Sequence, residues 1–361
     1  MKFIHISDIN IGITPDPNKF WANDRANDIK ETFTDIIKKC SEENIDFLFI
    51  SGNLFNHQPV TDELDYINEL FNTIPNTHII IVSGANDYIK QSSPILNYKF
   101  SENVHYFLNN TSEDVLIKGT NVIIHGFSYF SLEEMHPIAN SIVPENDKNI
   151  HILIFYGGDS RHVPFDLNKI NEKNFTYVAL GSRHNFETLV ENKIYYPGSP
   201  EPLSQNDVGE HGIIYGEINE KTKRVTKIEF IKMAKASYIP IKIKINGSTN
   251  EDEIVELVTR EVIKLGGNNI YKIVLTGMRN PDIEFTLDMF NKKIRIISFT
   301  DLSEPKYDFI KLSSEHPQDM IGAFIRKMTM INNEPSEIEK KALYYGTHAL
   351  IKSIEKEDNS K

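Results

Sequence analysis

Residues 2–12, KFIHISDINIG, and residues 47–56, FLFISGNLFN, decide the fold of this 361-residue chain. Each is a short apolar run without helical period that breaks abruptly into polar residues and glycine. A strand buried on both faces reads this way where it enters a loop. The same form recurs in HIIIVSG (78–84), NVIIHG (121–126), HILIFYG (151–157) and YVALG (177–181). Between the first two strands, Ile29, Phe33, Ile36 and Ile37 fall at helical spacing; Leu64, Ile67, Leu70, Phe71 and Ile74 do so between the next two. This alternation predicts a layered α/β domain. Nearly every strand ends on Gly, Asp or Asn, so the polar loops gather at one end, where open α/β sheets bind ligands.

Beyond IYYPGSPEPL (194–203), strands near 212–218 and 225–232 read as an antiparallel pair joined by NEKTKR. A second unit opens at Tyr238 with the strand IPIKIKI. Asn250 and Glu253 then make a capping-box start to a helix carrying Ile254, Leu257, Val258, Val262 and Leu265, which stops at Gly266 and Gly267. YKIVLTG and IRIISFT add two strands. The predicted domains are therefore 1–235, a small α/β cap at 238–312, and a helical region at 315–356.

The net charge of −12 argues against a surface that coats nucleic acid as a whole. Residues 221–244 nevertheless hold eight Lys or Arg against one acid, Glu229. That run reads either as lysines on the wet face of alternating strands or as a DNA track. The single cysteine, Cys40, excludes an internal disulfide and reads as a buried, inert thiol. The opening MKFIHIS reads as a strand rather than a signal peptide, and the longest apolar runs are too short to span a bilayer. The expectation is a cytoplasmic protein with no membrane association.

The chemistry-bearing loops are SDINIG (7–12), SGNLFN (51–56), SGANDY (83–88), FYGG (155–158) and LGSRH (180–184). In order and spacing they resemble the calcineurin-like metallophosphoesterase series D-x-H, G-D, G-N-H-D/E, H and G-H-x-H. YVALGSRH followed by YYPGSPEPL, with a cap domain after it, resembles the SbcD-type DNA repair nucleases in particular. The resemblance implies a sandwich of two central sheets flanked by helices, a small α/β cap and C-terminal helices. It also implies two divalent cations about 3.5–4 Å apart that generate hydroxide and clamp the phosphodiester.

Against that pattern the chain departs at most ligand positions. Asp8 and His184 keep the family residue. Asn10 stands for a histidine, Asn53 for the bridging aspartate, Ala85 for the ligand asparagine, Tyr156 for a histidine and Ser182 for another. Asn86 replaces the histidine that would assist the leaving group. Two cations that close repel each other, and a bridging carboxylate is what makes their pairing tolerable; the neutral amide of Asn53 supplies no charge there. Methyl, phenol and hydroxyl groups replace imidazole and carboxylate poorly.

The expectation is accordingly no catalytic residue and no cofactor, with a single weakly bound Mn or Mg at Asp8, Asn10, Asn53 and His184 as the alternative. His5 and His125 read as core histidines, Asp87 as bonded to its local turn, Arg183 as pointing away, and His57, Asp159 and His162 as solvated. Gly12, Gly52, Gly84, Gly157 and Gly181 keep the motif turns.

Function then divides three ways. The chain is a non-cutting subunit that docks an SbcC-like coiled-coil ATPase and possibly DNA; or a residual metal-dependent exonuclease; or a small-molecule sensor. By analogy with the family it is a homodimer. Two amphipathic stretches close the chain, one with Met320, Ile321, Phe324, Ile325, Met328 and Ile331, the other with Ile338, Ala342, Leu343, Ala349, Leu350 and Ile354. Asn332, Asn333 and Pro335 separate them. The resemblance makes them a grip on the partner's coiled coil, with Met320, Ile321, Phe324, Ile325, Met328, Leu343 and Leu350 as contact residues; the other reading folds them back on their own cap.

Overall fold

Alternate side chains of the first strand, β1 (Lys2–Ile6), face different layers. Phe3 packs in one buried cluster and Ile4 and Ile6 in another, as the two-residue period of a strand requires. The computed structural model describes residues 1–145, 148–330 and 336–358. They form two compact units, Met1–Tyr238 and Ile239–Lys361.

In the first unit, β1, β2 (Phe47–Ser51), β3 (His78–Val82) and β4 (Val104–Tyr106) run parallel in that order. Helices α1 (Ala22–Glu42) and α2 (Thr61–Asn72) are the first two crossovers. A second sheet is built from β5 (Glu113–Leu116), β6 (Val122–Gly126), β7 (Ile150–Tyr156), β8 (Tyr177–Gly181), β9 (Glu187–Val190) and β10 (Ile194–Tyr196), with the short helix α3 (Leu167–Asn171) between β7 and β8. Its spatial order is β5-β6-β7-β8-β10-β9, parallel from β6 to β10 with antiparallel edges. The hairpin β11 (Gly212–Asn219) and β12 (Arg224–Lys232) then returns to the first sheet, antiparallel beside β1. The short strands β4, β5, β9 and β10 carry no periodic signal in the sequence, because three or four residues are too few to show a period.

The layers follow from residue type. Phe3, Phe47, Phe49, Ile80 and Val82 of the first sheet meet Ile124, Ile152, Ile154, Tyr177 and Ala179 of the second, forming the central core. Ile4, Ile6, Leu48, Ile50, Ile79 and Ile81 face outward, where Ile29, Phe33, Ile36 and Ile37 of α1 and Leu64, Ile67 and Phe71 of α2 cover them. Each such side chain contributes about 1.5–3 kcal/mol on burial. Ile74 lies past the end of α2 but is buried in the same layer. Cys40 is buried there too, and burial, then Glu43, pushes its thiol up to about 12. Because β1, β2, β3, β7 and β8 all point the same way, their trailing loops meet at one end of the sandwich.

In the second unit, β13 (Tyr238–Ile245), β14 (Ile270–Arg279) and β15 (Ile296–Asp301) form a sheet, with β16 (Glu304–Pro305) beside β14. Helix α4 (Glu251–Leu265) begins where the Asn250 side chain accepts from the Glu253 N–H at 2.9 Å, and ends at Gly266 with φ of 109°. Ile254, Val258 and Val262 pack it on the sheet.

Helices α5 (Phe309–Glu315), α6 (Met320–Met330) and α7 (Glu337–Asp358) follow. Their arrangement shows how far the apolar stripe is covered within the unit. Ile321 and Ile325 are buried, and Phe324 lies so close to Gly346 that a Cβ there would sit 2.4 Å from its ring. Met328, Leu343 and Leu350 are half-buried, whereas Met320 is 71% exposed. The stripe is spent largely on helix–helix packing within the unit. Ile331, Asn332, Asn333 and Pro335 lie outside the described residues. No helix among the described residues is long and apolar enough to cross a membrane.

Candidate active site

The loop residues at the strand ends adopt a backbone that most side chains resist. Asp8, Asn10 and Asn53 have φ of 51°, 52° and 48°, the left-handed region that Asn and Asp tolerate best among residues with a Cβ. Ser182 is also positive, at 109°. This geometry lets the first two loops zip together: Asp8 N–H donates to Gly52 at 3.0 Å, Asn10 N–H to Asn53 at 2.9 Å and Ile11 N–H to Leu54 at 2.9 Å. Gly181 brings the second sheet against the first; a Cβ on it would lie 1.9 Å from the Ser51 carbonyl oxygen.

The side chains form a closed network. Asp8 is fully buried; its Oδ1 accepts from Asn53 Nδ2 at 3.0 Å, and its Oδ2 from Ser7 Oγ at 2.9 Å and Ser182 N–H at 3.0 Å. Asn53 Nδ2 also donates to the Tyr156 hydroxyl at 2.7 Å, while its Oδ1 accepts from the Asn86 N–H at 2.9 Å. A backbone N–H can only donate, so Asn86 settles which end of the Asn53 amide faces Asp8. Asn86 Nδ2 in turn donates to Asn10 Oδ1 at 2.9 Å.

Beside this network the lining is apolar. Ala85 and Tyr156 are buried with Phe127 and Tyr129, and Tyr129 meets Tyr156 edge to face at 5.5 Å. The Tyr156 ring presses on two glycines: a Cβ would fall 2.5 Å from it at Gly52 and 2.8 Å at Gly84. Burial, then the charge of Asp8, holds the Tyr156 hydroxyl well above its ordinary pKa, so it stays a neutral phenol.

His184 stands at the edge of the cluster, 36% exposed, in a groove of about 580 Å³ that Ser182, Arg183 and Glu187 also line. Its Nδ1 lies 3.1 Å from Asp207 Oδ1. Burial opposes charging this imidazole, but the bond to Asp207 and the fields of Asp8 and Asp207 outweigh it and raise its pKa. Asp207 is fixed in turn, its Oδ2 accepting from Leu203 N–H at 3.0 Å and Ser204 N–H at 2.8 Å. The sequence carried no signal for this orienting carboxylate, which lies 23 residues from its histidine.

The structure also locates the neighbours. Asp87 is buried and accepts from Gly84 N–H at 2.7 Å and Phe55 N–H at 3.2 Å; burial lifts its pKa to about 6. Arg183 pairs with Glu187 and stacks 4.8 Å from the Tyr196 ring, outside the network. His5 lies beneath the loops, 2.9 Å from both the Tyr177 hydroxyl and Ser51 Oγ, and burial lowers its pKa to about 3. His125 is buried 2.6 Å from Asp114 and 2.9 Å from His151. His162 is not simply solvated: it is half-buried, 2.8 Å from Asp159 and edge-on to Tyr156.

Residues 1–194 match the family model described as calcineurin-like phosphoesterase. The chain belongs to the calcineurin-like phosphoesterase family. Its homologues are Mre11 proteins, the SbcD-type nuclease family. It is 26% identical over 309 residues to the DNA double-strand break repair protein Mre11 of Sulfurisphaera tokodaii, covering 78% of this chain and 74% of that one. With the Methanocaldococcus jannaschii protein of the same name it shares 25% over 271 residues, 70% of this chain and 72% of that one. The Archaeoglobus fulgidus Mre11 is 28% identical over 232 residues, 56% of this chain and 50% of its own.

Family membership corrects the expectation of no cofactor: calcineurin-like phosphoesterases are metal-dependent, on Mn or Mg. The side chains do not fit a bridged pair. Among the described residues no group of three or more His, Cys, Asp or Glu is placed to hold an ion. The Asn53 amide turns donors, not lone pairs, toward Asp8 and Tyr156.

Proposed function

We propose that this calcineurin-like phosphoesterase is a subunit of Mre11/SbcD type that holds DNA and an SbcC-like ATPase without cutting DNA by the two-metal route. The observation that carries the reading is the orientation of Asn53. Where the family places a carboxylate shared by two ions, this chain places an amide whose N–H groups are committed to Asp8 and Tyr156. A frame kept whole around such a centre retains what binding needs: the turns, the zipped loops and the strand ends. The subunit acts in the cytoplasm, as a homodimer by the family's analogy.

The test is cleavage of end-labelled linear duplex at manganese concentrations that saturate ordinary two-metal nucleases. The expected result is intact DNA. Restoring one carboxylate with Asn53→Asp leaves it intact as well, because Ala85, Tyr156 and Ser182 still supply no imidazole or carboxylate. Only joint reversion at Asn10, Asn53, Ala85, Asn86, Tyr156 and Ser182 rebuilds the donor set.

The retained Asp8 and His184 favour a second reading, a residual metal-dependent exonuclease. Robust digestion that vanishes in Asp8→Ala establishes it and removes the first.

A further inference from the structure

We propose that the groove beside His184 seats an unpaired nucleobase, stacked on the ring of Phe186. This rests on the DNA-holding reading above and names the part of DNA that the site takes. Phe186 stands two residues past His184, just before β9, and lines the same groove of about 580 Å³, a volume in the range of small-ligand sites.

The Phe186 side chain is 37% exposed, yet its ring is held. Tyr195 of β10 lies nearly parallel to it, with centroids 6.3 Å apart, and Phe230 of β12 supports it at 4.9 Å. The main chain at this point is fixed as well. Ser199 N–H donates to the His184 carbonyl at 2.9 Å. Gly198, with φ of 78°, lets the two segments meet: a Cβ there would sit 2.8 Å from the Phe186 nitrogen. A ring already held in place loses little freedom when it is covered, so ordering offsets little of the stacking.

The charges in the groove select a neutral ligand. Its two basic side chains each face a carboxylate: Arg183 pairs with Glu187, and His184 Nδ1 lies 3.1 Å from Asp207 Oδ1. On the strand that carries Phe230, Lys227 and Lys232 pair with Glu229 and Glu210. A phosphate or an acidic peptide would have to displace a carboxylate; a neutral base need not. Every base has a π face to lay on the ring, and the exposed Asn185 in the lining adds an amide donor and acceptor for a base edge. Inside a duplex the faces of a base are covered by its neighbours. The ligand is therefore a nucleotide in a single strand or at a frayed end.

Anisotropy with a labelled single-stranded oligonucleotide across a salt series tests this, beside a blunt duplex and an abasic strand of equal length. Phe186→Leu keeps an apolar side chain but removes the π face, and Phe186→Tyr keeps the ring. Phe20→Leu removes a ring that is 61% exposed just before α1, outside the groove. Melting temperature confirms that each variant folds. Phe186→Leu should bind the single strand at least about fivefold more weakly, the low end of what a stacked base contributes. Its salt slope should be unchanged, because no phosphate contact is lost. Phe186→Tyr and Phe20→Leu should stay near wild type, and binding of the blunt duplex should not change. Equal binding of abasic and normal strands by the wild-type protein overturns the proposal without recourse to any variant. A loss in Phe186→Leu that Phe20→Leu matches, or that extends to the duplex, overturns it too. If the wild-type protein binds duplex and Phe186→Leu binds the single strand normally, the stacking site alone falls. If the wild-type protein binds no DNA even at low salt, the DNA-holding reading falls with it.

Discussion

Glu201 and Asp8 are both buried carboxylates of the first unit, and they are held in different ways. Glu201 meets a guanidinium: Arg25 donates to it at 2.9 Å and to Asp28 at 2.7 Å. Thr32 Oγ1 at 2.7 Å and Lys235 N–H at 2.6 Å complete the set, tying α1 to the loop after β10. Among the described residues Asp8 meets no cation at bonding distance; an amide, a hydroxyl and a backbone N–H surround it. In the first cluster charge cancels charge, so removing either partner strands an ion. In the second, neutral dipoles share the task. Buried polar chemistry thus marks a structural pin in one place and the candidate site in the other.

Breaking the ion pair should have the largest effect. Glu201→Gln leaves the Arg25 guanidinium buried with one remaining carboxylate, Asp28, and should cost about 3–5 kcal/mol in chemical denaturation. A loss below about 1 kcal/mol would mean that the two clusters are not different in kind.

A pH titration of stability sharpens the contrast through Asp87, which backbone N–H groups hold without a cation. Its folded pKa, about 6, exceeds the ordinary 3.8, so the folded state keeps a proton that the unfolded chain releases. Its contribution is present below pH 3.8 and is lost as pH rises toward 6. His5 works with the opposite sign: its depressed pKa, about 3, gives stability above pH 6.5 that is lost as pH falls toward 3. The two offset each other between pH 4 and 6. Asp87→Asn should therefore steepen the rise of stability with pH there, by up to about 1.4 kcal/mol per unit. An unchanged slope would show that Asp87 titrates normally.

Asn53→Asp comes next, at about 1–3 kcal/mol near neutral pH. It sets a second carboxylate 3.0 Å from Asp8, where the amide now donates. One proton must be retained, so the loss should grow as pH rises above about 4, the ordinary carboxylate range. Stability equal to wild type at neutral pH without added metal would show a cation already close by. The smallest effect belongs to Asn86→Ala, about 0.5–1.5 kcal/mol, since it removes only the bond to Asn10.

Much of this architecture was legible in the chain. Runs such as FLFIS and HIIIV announce strands buried on both faces, and the positions of Asp8, Asn53, Tyr156 and His184 at strand ends follow from the motif order. The short edge strands were not legible, nor was Asp207 behind His184, because pairing across 23 residues leaves no local pattern. Arg25 and Glu201 were hidden for the same reason, 176 residues apart. The stripe of α6 was legible as an apolar face; which surface covers it was not, since periodicity identifies a face without naming its neighbour.

The positive φ values at 8, 10 and 53 bear on which substitutions these loops can accept. Whatever chemistry position 10 serves, its backbone does not admit every residue. β-Branched side chains are effectively barred, and even alanine is strained, while Asn, Asp and Gly enter at little cost. The asparagines at 10 and 53 are thus among the few residues that these loops accept without moving the main chain. A saturation library scored for folding alone should recover that short alphabet at both positions, whatever chemistry the protein performs.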